Sequence, residues 1–516
     1  MNRTTRREFL GEVGRGMLLA GLGASLAQDL GLARLESAEA EATLSFGALE
    51  PLVVQMQETA PAQLTAALVN ALKSGTDLRT LVAAGALANA RTFGGEDYIG
   101  FHTFMALAPA YRMSQMLPAA EQPLPVLKVL YRNANRIQEF GGRKSEVLHP
   151  VAAAPIDSGS PAGEQLRDAV RRYDMDAAER TFATIASGPV GEAFNHLQYE
   201  VDDEVDVHRV VLAWRAFDTL DLAGEEWAHC LLRQSVRYCV KAENWRKEGR
   251  SVNSPIRTLL PQLLDQYKLL GREPGQKTGD DAWLSQLAGV LFRGTREQAA
   301  DAVAQALQEG YSVDAIGEAL SLASNWLVLH DPGRPQQWAN AEKPEGSCHG
   351  DSVGVHASDA ANAWRNIARV SNPRNAMCSL IVGAFHTAGQ SQRSNPQPYP
   401  LPEHLAAVKD NDPQALLREA EAAIREKDQF RTAAIISRYG ELGHDPKQVF
   451  QLMLGFATSE DGALHAEKYY NTVSAEFAAA RPAFRWGQLV ALARVTASEY
   501  GRPAPGYVEA KSLLKV

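Results

Sequence analysis

The feature that most constrains this chain is that much of it is written twice. The run "PAQLTAALVNALKSGTDLRTLVAAGALANAR" at residues 61 to 91 returns as "REQAADAVAQALQEGYSVDAIGEALSLASNW" at 296 to 326, a spacing of 235 (296 − 61). Gln63, Ala67, Leu72, Gly75 and Leu87 recur as Gln298, Ala302, Leu307, Gly310 and Leu322. Both copies carry apolar residues at helical spacing, a glycine that can end one helix, and Thr76 or Ser312 placed to cap the next. A second match, "AVRRYDMDAAER" at 169 against "AVKDNDPQALLR" at 407, follows at a spacing of 238 (407 − 169). No alternating apolar pattern bounded by turn residues is sustained, so strands are not expected. The pattern predicts an all-α fold of two pseudo-equivalent helical halves, 41–248 and 283–516, joined by a polar linker with one helix at 249–282.

Composition narrows the function. A chain of 516 residues exceeds what one core usually organises, and 45% hydrophobic with 22% charged residues is an ordinary globular balance. A formal net charge of -9 gives no positive field for phosphate backbones or anionic lipids, so nucleic acid is not expected as a partner. The first forty residues read as an address. "TTRREFLGEVGRGMLLAGLGASLA" has a twin arginine, Arg6 and Arg7, then an apolar run too short to span a bilayer, then small residues. That order predicts a twin-arginine signal peptide over 1–40, the Tat translocase as an export partner, a periplasmic or secreted location, and no membrane span in the mature chain. Four cysteines without a C-x-x-C do not make a disulfide framework or a thiolate zinc site.

Histidine is scarce, at twelve residues, yet three positions are occupied in both halves. His102 and His356 share a G-x-H-x-x-x-A setting, His208 falls over His444, and His229 falls over His465. One reading makes these six buried polar residues that duplicate because the fold duplicates. The other makes His102, His208, His229, His356, His444 and His465 metal ligands or proton-transfer groups. No H-x-x-x-H pair occurs, so ligands would have to converge from separate helices. His444 precedes Asp445 and Pro446, a cap and a first helical residue, where the helix dipole favours a neutral ring. Arg233 and Arg237, four and eight residues after His229, form a stripe suited to an anionic substrate or to buried acids.

Features private to one half are candidates for a one-sided active site. An insertion in the second half adds His330, Cys348, His349 and Asp351, and "GAFHTAG" adds His386. The catalytic candidates are therefore His356, His386, Arg233 and Arg237. Gly350 and the preceding "PEGS" place His349 in a loop, where exposure is the expectation.

The stretches "GFHTFMALAPA", "DVHRVVLAWRAFDTL", "EEWAHCLLRQSVRY" and "VGVHASDAANAWR" resemble a family of exported bacterial proteins whose activity is not named, and the resemblance covers most of the mature chain. More remotely, His356 followed by Asn362 and Ala363 is similar to questin oxidase-like proteins. That second resemblance implies an oxygen-dependent ring-opening oxidation of an aromatic or polyketide-like substrate, with His356 as its one transferable site residue. The expectation is an exported oxidoreductase-like enzyme on a small-molecule substrate, its site between helices lined by histidines, with or without a transition metal such as iron, copper or zinc. The alternative is a non-catalytic helical-repeat binding protein whose histidines are buried pins.

Overall fold

The computed structural model describes residues 43–249 and 254–516, so the signal segment and four residues of the expected linker lie outside the described residues. Among the described residues the elements are twenty-three α-helices and five short 3-10 turns, with two isolated β-bridges and no named strand. The fold is all-α. No helix among the described residues is long and apolar enough to cross a membrane.

Helix positions follow the two matched runs. Pro61–Lys73 and Arg296–Gln308 begin and end 235 residues apart, Leu78 and Val313 open the next helices at the same spacing, and Met175 and Pro413 open theirs 238 apart. The connecting turns are chemically alike. Gly75 and Gly310 take φ of 102° and 88°, the left-handed region that glycine enters without steric cost. Capping differs by one residue: the Ser312 hydroxyl accepts from the Ala315 backbone N–H as expected, whereas in the first run Asp77, not Thr76, accepts from Thr80. Asp is a strong cap and here lies one position nearer the helix.

The chain divides into two compact units that do not coincide with the two written halves. Of the described residues, one takes those through Ala108 with Leu130–Asp203 and 215–249; the other takes Pro109–Val129, Glu204–Trp214 and Ser254–Val516. The described part of the expected linker, with its helix Ile256–Gln266, thus belongs to the second unit.

In the first unit the axis is Leu78–Phe93, buried at every position from Leu81 to Phe93. Most of its polar groups are matched: the Asn89 Nδ2 amide shares its two hydrogens among Gly100 O, Thr103 Oγ1 and Asn133 Oδ1 at 2.7–2.8 Å, while its Oδ1 finds no partner among the described residues. Arg91, fully buried, binds Leu44 O, the Glu50 carboxylate and the Gln57 amide oxygen, and pairs with Glu146 at 3.0 Å. In the second unit one apolar cluster runs through Leu416, Ile435, Met453, Val473 and Leu489, all buried. The repeated glycine has the same job in each unit. A Cβ on Gly100 would lie 2.6 Å from the Phe93 ring, and one on Gly354 would lie 2.6 Å from Val328 N, so both positions need the close approach that glycine permits.

Candidate functional site

Five helices of the second unit carry the site residues: α1 (Val207–Ala223, by its first turns), α2 (Val353–Val370), α3 (Pro373–Thr387), α4 (His465–Ala479) and α5 (Trp486–Glu499). α2 and α4 are joined by a ladder of buried polar contacts. Thr472 Oγ1 donates to Asp359 Oδ1 at 2.8 Å, Asn362 Nδ2 donates to Glu476 Oε1 at 2.7 Å, and Arg365 pairs with Glu476. These contacts climb both helices together, so the helices run side by side in one direction. The consequence is that His356, in the first turn of α2, meets His465, the first residue of α4.

The two rings face each other with Nε2 to Nε2 at 3.2 Å. His465 Nδ1 lies 3.1 Å from Ala463 O, a carbonyl, and must therefore carry the proton in the neutral ring. Its Nε2 is then the acceptor and the His356 Nε2–H the donor, assigned from the network. Two features hold this geometry. Ala463 and Leu464 both take positive φ, 50° and 68°, unfavourable for residues with a Cβ, and so fix the entry into α4. Both rings also sit at helix N-terminal turns, where the dipole disfavours imidazolium. Burial and then the Lys468 ammonium lower the His356 pKa to about 3.

His208 adjoins the pair, and His386 lies within electrostatic reach of His208. The His208 ring centroid is 6.1 Å from that of His356, and His208 Nδ1 is 3.3 Å from Asp206 Oδ1. His386, near the C-terminus of α3, accepts from Trp364 Nε1 at 3.2 Å through its Nδ1, which leaves the proton on Nε2. Burial lowers its pKa to about 4, against the opposing pull of the Asp206 carboxylate. His208, His356 and His386 keep part of their surface open, whereas His465 is buried.

Behind His465 lies a layer that includes Tyr469 and one residue that the sequence did not mark, Glu499. Glu499, the last residue of α5, is buried, and its carboxyl pKa is pushed up to about 7 by burial, with the Gly350 N–H donating to Oε1 at 2.8 Å in the opposite sense. Gly350 touches His465 so closely that a Cβ there would lie 2.2 Å from His465 Cβ. Tyr469, one turn beyond His465, has a buried hydroxyl with no hydrogen-bond partner and a pKa raised by burial. Tyr469 and Glu499 line a small cavity of about 20 Å³, room for about one water, whose other walls are mainly apolar. A lone Glu before "YGRPAPG" carries no spacing signal, and only the packing reveals it. Cys348 is also buried, with its thiol pushed up to about 12, so it is no nucleophile at neutral pH. All four cysteines are free and buried.

His349 departs from the expected exposed loop residue. It lies in a loop, yet is 2% exposed, because the loop folds onto α4 and α5. The run Gly350–Gly354 also spells G-x-S-x-G, a hydrolase signature. Ser352 follows no strand; it takes φ −68° and caps α2 by accepting from Val355 N, so no nucleophile elbow forms.

The remaining predicted residues do other work. His444 bonds through Nε2 to Asn411 O at 3.0 Å and packs on Tyr439, with Asp445 capping and Pro446 opening the next helix as expected. It joins no other histidine. In the first unit His102 holds Tyr98 O through Nδ1 at 2.6 Å and stacks on Phe101, and His229 stacks on Phe182. Arg233 pairs with Glu179 at 3.3 Å and donates to His149 O, while Arg237 pairs with Glu179 at 2.8 Å and with Glu96. Of the two readings of that stripe, the buried acids are what these guanidiniums meet. The six proposed ligands do not form one centre: no three His, Cys, Asp or Glu side chains among the described residues are grouped to hold an ion. Comparison with family models, with curated proteins and with solved structures returned no match to this chain.

Proposed function

We propose that this protein is an exported, oxidoreductase-like enzyme whose proton-transfer centre is the His356–His465 pair, with His208 and His386 at its open side. The observation that carries the reading is the meeting of His208, His356 and His465 from three helices, two of the rings Nε2 to Nε2 at 3.2 Å. A ring held neutral at physiological pH is the form a general base requires, and groups with strongly perturbed pKa values cluster at functional sites. In this reading His465 Nε2 draws a proton through His356 Nε2–H, and His356 Nδ1 takes one from the substrate. The recurrence of helix bounds at 235 and 238 residues supports treating the chain as a duplicated helical unit in which one copy became the site.

The twin-arginine segment supports export, and the remote resemblance supports a hydroxylated aromatic or polyketide-like substrate with dioxygen as oxidant. The test is dioxygen uptake by the purified exported protein on a panel of polyhydroxylated aromatic compounds. At least a tenfold loss of turnover is expected in His356→Gln and in His465→Gln, with melting temperatures near that of the parent. No dioxygen-dependent product across the panel, or full rates in both variants, overturns the reading.

A second reading is favoured by one distance. Two neutral imidazoles 3.2 Å apart match an edge of a tetrahedron with metal–nitrogen bonds of about 2.0–2.1 Å. The Nδ1–H of His465 on a backbone carbonyl is the orienting contact such ligands make. Metal analysis of untagged protein from an exporting host separates the two: stoichiometric metal lost in His465→Gln favours an ion, and metal-free active protein favours proton transfer alone.

A further inference from the structure

The second-half insertion builds a cleft whose chemistry the histidine centre does not use. Two adjoining hollows, each of about 150 Å³, share Asp331, Gly333, Val353 and Arg393. The loop is pre-organised by its own backbone: Arg334 N donates to Ser347 O at 2.9 Å and Gly346 N donates to Arg334 O at 2.8 Å. The Asp351 carboxylate is already matched by Arg334 at 2.7 Å and Lys343 at 2.6 Å. A ligand entering this space therefore meets a formed wall.

Three observations on that wall point to an anion. The first is His349, which lines one of the two hollows and is 2% exposed. Its Nδ1 lies 3.1 Å from Arg502 Nη2. A guanidinium has only donors, so Nδ1 accepts and the proton of the neutral ring sits on Nε2. That Nε2–H is buried and has no acceptor among the described residues, a position that costs free energy unless something supplies an oxygen. Burial and the Arg502 charge lower the ring's pKa to about 3, so it stays a neutral donor. The second is Arg393, exposed, lining both hollows and forming no ion pair among the described residues. It lies 5.2 Å above the ring of Trp338, which is 57% exposed and leaves a flat apolar surface at the mouth. The third is the N-terminus of α2, an eighteen-residue helix whose Ser352, Val353 and Gly354 form the floor.

We propose that this cleft binds a small organic carboxylate, its head group taking the His349 Nε2–H and the Arg393 fork, and its apolar body lying on Trp338. A planar carboxylate suits a guanidinium fork, whereas the flat ring beside it suits an organic body over a bare inorganic ion. This inference rests on the cleft alone and holds whether or not the histidine pair turns a substrate over.

The test is isothermal titration of the full-length exported protein with benzoate, with inorganic phosphate as the second arm. Saturable benzoate binding is expected, weakened at least tenfold in Arg393→Gln and in His349→Phe, and reduced a few-fold in Trp338→Ala. Arg393 and Trp338 are exposed, so those variants keep the fold even where His349→Phe does not; melting temperatures confirm this. His356→Gln keeps the benzoate affinity within twofold, which separates failure here from failure of the catalytic reading. No saturable benzoate binding, equal affinity in Arg393→Gln, or phosphate binding more tightly than benzoate overturns the proposal.

Discussion

The arginine-rich core of the first unit and the histidine-rich centre of the second treat buried polarity in opposite ways. Around Arg91, Arg233 and Arg237, buried guanidiniums are matched by Glu50, Glu146, Glu179 and Glu96. Around His356 and His465 several groups are instead kept neutral beside a matched ion pair, Arg365–Glu476: the His356 and His386 rings with pKa near 3 and 4, a carboxyl pushed up to about 7, and a tyrosine hydroxyl without a partner. Matched ions organise a core and resist change. Neutral, desolvated groups with shifted pKa values are the kind that cluster at functional sites, and under the proposed reading that difference would put the chemistry in the second unit.

The comparison is broken most directly in the first unit. Arg91→Ala leaves Glu50 and Glu146 without their buried cation, and a loss of about 3–5 kcal/mol is expected from urea unfolding. If His356→Gln cost as much, the histidine centre would be a second structural core.

The next largest effect is on pH. His349, His356 and His386 have folded pKa values of about 3, 3 and 4, below their ordinary 6.5. Depressed values favour the folded state above 6.5, and that contribution is lost as pH falls toward 4 and 3. Stability is therefore expected to drop steeply between pH 6.5 and 4, with a shallower slope in His349→Phe. An unchanged slope would return these rings to ordinary solvation.

Glu499 shows the reverse sign. Its pKa is raised from 4.5 to about 7, so its contribution is present below 4.5 and lost as pH rises through 7. Glu499→Gln is expected to stabilise the protein at pH 8 to 9 by on the order of 2 kcal/mol and to do nothing at pH 4. The smallest effect is the control. Arg143 and Glu58, 3.5 Å apart and both largely exposed, should contribute about 0–1 kcal/mol by double-mutant cycle, since water competes for both charges.

Much of the fold was legible before any coordinates. The repeated apolar spacing marked helices whose bounds fall at the same 235-residue interval, and Ser312, Asp445 and Pro446 act as the caps and openers they looked like. The site was legible in part. The His356 and His465 positions were singled out by the double writing, and His386 by its privacy to one half, but nothing in the spacing said that His356 and His465 would touch and His444 would not. His349 was misread because "PEGS" describes a local turn and says nothing about what packs over it. Glu499 carried no pattern at all, and Tyr469 stood out only by lying four residues after His465, as Arg233 does after His229.

What the sequence alone determined is periodicity: where helices start and stop, and where a glycine or a cap is needed, because those depend on residues within one or two turns. What only the tertiary structure decided is partnership. Whether a buried arginine meets an acid, whether a histidine meets a carbonyl or another histidine, and whether a glutamate stays charged depend on side chains as much as 150 residues away, as with Gly350 and Glu499. Desolvation sets the protonation state of each such group, and desolvation is a property of the assembled packing, not of the order of residues.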